Sequence, residues 1–404
     1  VNARRKEVPS LLGDTAIRRA TTPRRRFLFA VPPLNGHADP TVAVAAELVR
    51  RGHAVAWTGD RATLEPQLRP GSRILTAVDR DFAPRIPAAR EAWLSLRDAE
   101  ARRFLWEGFA VPLGHAMMPG VEKALDRFRP DVVIADQLAL AAPVAARRRG
   151  LPWATSAATS AGFAPGGTPE DEDWIHAQIG GFQRAHGIDD VQDLRFSGDL
   201  VLVFSTAALV GDTASYPGHY AFVGPAPGRP GAGFPWERLD GRPAVLVSLG
   251  AAGHPAGAAF FAAAAEAVRD LDVQAVLDCP PGTLADPPRN VLLHDGVPLP
   301  RLLERLSAVV CHGGHDTVCE TLARGVPLVV APVSGDEPVI ARQVEASGAG
   351  VAVPFPGAGP DELRAALTTV LADGPHRAAA RRARDCFTAA GGAGEAADRL
   401  ESLA

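Results

Sequence analysis

Short apolar runs alternate with helical spacing along most of this chain. The runs at 27–31, 54–57, 129–136, 200–204, 244–249, 274–277 and 290–294 are brief and bounded by Gly, Pro or charge, as buried strands are. A helix is predicted over 40–51, with Asp39 as N-cap, Pro40 in its first turn and Gly52 as its stop. An Ala-rich amphipathic helix follows over 257–269. Residues 338–347, 360–371 and the tail to Ala404 also have helical spacing. The stretch 225–242 is rich in Pro and Gly and reads as a linker.

The densest stretch is 309–337, VVCHGGHDTVCETLARGVPLVVAPVSGDE. It reads as strand, glycine turn, helix, second strand and loop. Gly313 and Gly314 allow a sharp turn and a close backbone approach to a ligand. Residues 317–324 have helical spacing, ended by Gly325 and Pro327. A helix that starts right after such a turn aims free N–H groups and a positive dipole end at one spot, which favours a phosphate. His312 and Thr317 can donate to the same anion. Glu320 lies three residues after Thr317 on the same face, where its carboxylate can accept from paired hydroxyls such as those of a ribose.

A second constellation lies earlier. His37 sits in the loop PPLNGHADP that follows the first strand, and loops at strand carboxyl ends are where open α/β sheets bind ligands. Catalysis by His37 competes with a capping or backbone-satisfied imidazole. The run RPDVVIAD ends in Asp136, again at a strand's carboxyl end. Asp136 either orients a catalytic histidine or caps the following helix. Residues 61–130 and 162–197 supply Trp93, Phe109, Met117 and Trp174, which would line a large apolar pocket for an acceptor; the competing reading is ordinary core. Cys311, His312, His315 and Cys319 can be drawn as zinc ligands. Cys311 and His312 are adjacent in an extended segment, so their side chains point to opposite faces, and no metal is expected.

At these residues the chain resembles the family 1 glycosyltransferases. His312, Thr317 and Glu320 hold the spacings of the family's donor-binding signature. Asp336 holds its acidic place, while Glu337 stands where Gln is usual. Gly36-His37-Ala38-Asp39-Pro40 matches the family's Gly-His-x-x-Pro, and Asp136 matches its second catalytic position. Ser248-Leu249-Gly250 resembles a phosphate-site turn, with Ala251 replacing the final hydroxyl residue. Gly296-Val297-Pro298 stands in for Trp-x-Pro-Gln, so the stacking Trp is missing and only the Val297 backbone remains for the base.

The resemblance implies an α/β GT-B fold: two doubly wound, Rossmann-like domains facing across a cleft. It implies an acceptor domain at 24–225, a nucleotide-sugar domain at 243–385 and, at 386–404, a helix that packs back on the first domain; by composition, 1–23 reads as a flexible basic leader and 226–242 as the linker. It further implies an inverting transferase. His37 would be the general base and Asp136 its orienter. Ser248, His312, Gly313, Gly314 and Thr317 would hold the diphosphate, Val297 and Glu320 the nucleoside, and His315, Asp336 and Glu337 the sugar. The co-substrate would be a dTDP- or UDP-sugar, with no cofactor, and the acceptor an apolar secondary metabolite of antibiotic biosynthesis. Glu337 adds a carboxylate that an amino-deoxysugar would favour. Transfer to an aromatic carbon, a nucleotide-sugar epimerase and a non-catalytic auxiliary are the alternatives.

Composition narrows the partners. The chain's 404 residues suit two domains, and 47% apolar with 22% charged residues is globular. Net charge is −4, so no broad basic field argues for nucleic acid. Only Lys6 and Lys123 are lysines, and the Arg-, Ala-, Gly- and Pro-rich usage is associated with GC-rich bacterial genomes. Cys279, Cys311, Cys319 and Cys386 form no disulfide framework, which points to reduced thiols and a cytoplasmic setting. No apolar run is long enough to span a bilayer, and the Arg-rich leader lacks a signal peptide's apolar core. A homodimer is left open.

Overall fold

The computed structural model describes residues 23–404 except 35, 97, 161, 163–167, 227–232 and 251–256. The leader expected at 1–23 (apart from Pro23), Ala251 and much of the linker lie outside the described residues.

Two parallel sheets carry the fold. The first holds β1 (Arg26–Ala30), β2 (Ala54–Gly59), β3 (Ile74–Thr76), β4 (Val132–Asp136), β5 (Trp153–Ala157), β6 (Leu200–Val203) and β7 (Tyr220–Phe222), in the order β3-β2-β1-β4-β5-β6-β7. The second holds β8 (Ala244–Ser248), β9 (Gln274–Asp278), β10 (Val291–His294), β11 (Leu306–Cys311), β12 (Leu328–Val330) and β13 (Gly350–Ala352), in the order β10-β9-β8-β11-β12-β13. These are two doubly wound, Rossmann-like units, as the sequence pattern and resemblance implied.

Their strands are near-continuous apolar runs because helices cover both faces. Side chains alternate between two cores in each unit. Leu28 and Ala30 enter one core of the first sheet, and Phe27 and Phe29 the other. Val309 and Cys311 do the same against Ala308 and Val310 in the second. Strand order reverses between β1 and β4, and again between β8 and β11. A crevice opens at each reversal, outside the strands' carboxyl ends.

The helix predicted over 40–51 is Asp39–Arg50, and its N-cap is Ala38, without a side-chain hydrogen bond. Asp39 is therefore the first helical residue instead of the cap, where its charge still suits the dipole. The terminal helix Gly392–Leu403 crosses to the first unit and places Ala396, Ala397 and Leu400 in its core. Arg51 fixes it there by bonds to Asp398 (2.5 Å), Glu401 (2.7 Å) and the carbonyl of Gly394 (3.1 Å). His53 Nε2 lies 2.6 Å from Glu401.

The two units also touch beside their crevices. Thr159 Oγ1 donates to Asp336 Oδ2 at 2.5 Å, and Ser160 Oγ to Gln343 Oε1 at 2.6 Å.

Candidate active site

His37 follows β1, and Asp136 is the last residue of β4. The register pairs Ala30 with Ala135, so Asp136 emerges directly beside the loop that carries His37. Asp136 is 2% exposed; its Oδ2 lies 2.9 Å from His37 Nδ1, and its Oδ1 accepts the Leu138 N–H at 2.9 Å. The next helix begins at Ala141 with Leu140 as N-cap, so Asp136 does not cap it. An ionised carboxylate only accepts, so Nδ1 carries the proton and Nε2 keeps the lone pair. Burial pushes the His37 pKa down, but the adjacent Asp136 charge and hydrogen bond, helped by Asp336 and Asp316, raise it above the ordinary histidine value.

On the other unit, β11 runs into His312, a turn and the helix His315–Ala323. Gly313 has φ +96°, where any other residue would be strained. A Cβ on Gly250 would lie 2.7 Å from the His312 ring and one on Gly314 2.5 Å, so the imidazole is seated between two bare backbone turns. The first N–H groups of that helix have no intrahelical partner and face the turn. Thr317 is its third residue, half-buried. His312 is set beside the Ser248 backbone, and its Nε2 lies 3.9 Å from Glu337 Oε1. Burial lowers the His312 pKa below the ordinary value, against the opposing pull of Asp336.

The two constellations share one crevice. Asp336 acts electrostatically on both His37 and His312. Asp316, on the helix after His312, has Oδ2 3.4 Å from where a Cβ on Gly36 would stand, beside His37.

Residues 262–403 match the family described as erythromycin biosynthesis protein CIII-like, C-terminal domain. The chain is 29% identical to demethyllactenocin mycarosyltransferase of Streptomyces fradiae over 93% of this chain and 86% of that protein. It is 26% identical to NDP-glycosyltransferase YjiC of Bacillus licheniformis, over 92% and 96%. The crystal structure of the glycotransferase of kitacinnamycin superposes with a TM-score of 0.74 at 26% identity, covering 94% of this chain and 99% of that one. The chain is a glycosyltransferase with the GT-B fold.

Several residues of this GT-B glycosyltransferase sit differently from the sequence reading. Ser248 Oγ donates to Asp278 Oδ2 at 2.9 Å and receives the Gly250 N–H at 3.3 Å. Its one proton is committed to holding the turn, so it is not offered to a diphosphate. His315 is 5% exposed, faces the core side of its helix and lies 3.4 Å from Cys319 Sγ, so it does not reach a sugar. Phe109 and Met117, 4% and 0% exposed, are packed in the first unit's core and are not pocket walls. Trp174 is half-buried under the Arg103 guanidinium, 5.2 Å from its ring. Trp93 alone of the four reaches the crevice: its ring lies 3.5 Å from where a Cβ on Gly335 would stand, next to Asp336.

Glu337 Oε2 accepts the N–H groups of Val333 and Ser334 at 2.6 and 2.9 Å, and its Oε1 lies 3.9 Å from His312 Nε2. Glu320, half-buried, lines a hollow of about 210 Å³ with Pro225, Leu303 and Phe387. Gly296 has φ +77° and donates its N–H to Asp278 Oδ1 at 2.9 Å; the half-buried Val297 follows it. Asp278 thus ties the Ser248 turn to the 296–297 segment.

Sequence reading missed three residues. Asp316 lies inside the signature, but its approach to Gly36 and His37 on the other unit has no local signal. Thr159 gave no local signal. Asp278 was visible only as a polar residue closing an apolar strand. Among the described residues, no three His, Cys, Asp or Glu side chains are grouped as metal ligands, and no helix is long and apolar enough to cross a membrane.

Proposed function

We propose that this transferase moves a deoxysugar, with inversion, from a dTDP- or UDP-sugar to a hydroxyl of an apolar secondary metabolite. The observation that carries this reading is that Asp316, on the helix after His312, reaches to 3.4 Å from where a Cβ on Gly36 would stand, beside the His37–Asp136 pair: a proton acceptor and an anion-binding turn address one crevice. The relatives support the substrate classes, one being an NDP-glycosyltransferase and the other a demethyllactenocin mycarosyltransferase.

In this reading, the acceptor hydroxyl gives its proton to His37 Nε2 as its oxygen attacks the anomeric carbon. Asp136 holds the tautomer and stabilises the imidazolium. The bond to the diphosphate breaks on the opposite face of the sugar. His312 and the N–H groups of Gly313, Gly314 and the following helix meet the departing negative charge. No cofactor enters; the nucleotide sugar is a co-substrate. Glu320 and the Val297 backbone hold the nucleoside. Asp336, with Thr159, and Glu337 meet the sugar, and Asp316 adds a further carboxylate. This acidic wall suits an amino-deoxysugar. Trp93 lines the acceptor side.

Testing uses thermal shift with dTDP and UDP, then turnover of a donor and acceptor panel with wild type and His37→Ala. A ligand that binds only the folded state raises the melting temperature. Binding retained in His37→Ala with turnover lost supports the reading; equal turnover refutes it.

A further inference from the structure

A second charged hollow lies at the opposite end of the first sheet. It has a volume of about 310 Å³ and is lined by Arg24, Arg26, Ala54, Arg73, Arg127 and Phe128. Arg26 and Ala54 open β1 and β2, Arg73 immediately precedes β3, and Arg127 and Phe128 end the helix Val111–Phe128. The crevice with His37 is at the other ends of these strands, so this hollow is no extension of it.

The side chains are held in place but not neutralised. Arg26 Nη1 donates to the Phe128 carbonyl at 3.0 Å, and the Arg26 N–H to Asp131 Oδ2 at 2.7 Å. The Arg73 guanidinium lies over the Phe128 ring, 5.0 Å from its centroid. Among the described residues none of the four arginines forms an ion pair, although many other arginines of the chain do. Arg127 has a separate reason for its place, in the last turn of a helix whose dipole favours a cation. Arg26 shares it through its bond to the Phe128 carbonyl at that helix end, and Arg73 rests on the Phe128 ring; none of these contacts cancels a charge. Four like charges around one hollow repel each other, in a chain whose net charge is −4. A bound anion removes that repulsion, and guanidinium groups present paired donors that match phosphate oxygens.

We propose that this hollow is a second anion site, specific for phosphoryl groups and separate from the donor crevice. Its size fits one or two phosphoryl groups, and the Phe128 ring gives the rest of the ligand an apolar floor. The phosphoryl group belongs either to a free small molecule or to a lipid headgroup.

Titration calorimetry with inorganic pyrophosphate tests this on wild type, His312→Ala and the double variant R73Q/R127Q. The arginines are exposed, so their replacement leaves the fold and the transferase turnover unchanged. His312→Ala retains pyrophosphate binding at the hollow, and the double variant loses that component by at least tenfold. Raising the salt concentration weakens it further. If His312→Ala does not fold, Arg24→Gln and Arg26→Gln, compared with wild type, give the same readout. Flotation with phosphatidylglycerol vesicles separates the sources: co-flotation lost in the double variant assigns a headgroup, and pyrophosphate binding without flotation assigns a free molecule. Undiminished pyrophosphate binding in the arginine variants, or neither pyrophosphate nor vesicle binding in wild type, overturns the proposal.

Discussion

Nδ1 of His37 lies 2.9 Å from Oδ2 of Asp136, and this bond decides which ring nitrogen faces the acceptor. It also sets the pH at which the imidazole is free to accept a proton. Because Asp136 raises the His37 pKa, the base form dominates only above that raised value, and kcat falls as pH drops through it. Asp136→Asn removes the charge. The acid limb of the kcat profile is then expected to move to lower pH, while the plateau falls by about 10² or more, as for loss of an oriented base. An unmoved limb would show that Asp136 does not tune His37.

His312 behaves in the opposite sense. Burial lowers its pKa, so the free enzyme holds it neutral near pH 7, and a diphosphate beside Nε2 favours the charged form. Nucleotide diphosphate binding is therefore expected to take up a proton and to weaken as pH rises from 6 to 8. Calorimetry in buffers of different ionisation enthalpy measures that uptake directly. His312→Ala should weaken binding by roughly 10- to 100-fold, the range for a charge-assisted hydrogen bond.

Glu337 places a carboxylate oxygen 3.9 Å from that same imidazole. Glu337→Gln keeps an acceptor for the Val333 and Ser334 N–H groups and removes the negative charge. Tighter nucleotide diphosphate binding is expected, together with a donor preference shifted from amino sugars toward neutral ones. A competition assay with paired donors reads both, and unchanged preference would remove the amino-sugar assignment.

Gly314 has an ordinary backbone conformation, but a Cβ there would sit 2.5 Å from His312 Nε2. Gly314→Ala thus tests ring placement without backbone strain. Overpacking costs about 1–3 kcal/mol, and the melting temperature should fall only by several degrees. Nucleotide affinity should fall further than stability does, because the displaced ring is the one that meets the anion.

Arg51 ties the terminal helix to the first unit. The hydrogen bonds from Arg50 and Arg51 hold the Glu47 carboxyl down to about 2. A depressed carboxyl contributes stability above its ordinary value of 4.5, and that contribution is lost as pH falls toward 2. Arg51→Ala is expected to lower the melting temperature at pH 7 and to flatten its decline between those pH values. Melting curves of the two proteins across that window check it.

Much of this arrangement was legible in local pattern. Strand runs, the glycine turn and the positions of His37, Asp136 and His312 at strand ends follow from spacing and apolar character, and the sheet order then places each at a reversal. What spacing does not carry is which side of an element is covered. His315 and Ser248 occupy site positions along the chain, yet one faces core and the other spends its proton on Asp278. Phe109 and Met117 have the composition of a pocket wall and the burial of core. Thr159 and Asp316 act across the crevice, and no local pattern encodes how two units face each other.

The central claim is that one crevice binds the leaving diphosphate and removes the acceptor's proton. Nucleotide diphosphate release from an accepted sugar donor, followed with saturating acceptor in wild type and His37→Ala, tests it most directly. Turnover reduced by about 10²–10⁴ in the variant, with donor affinity within a factor of a few, is the expected result. Equal turnover in the two proteins would contradict it.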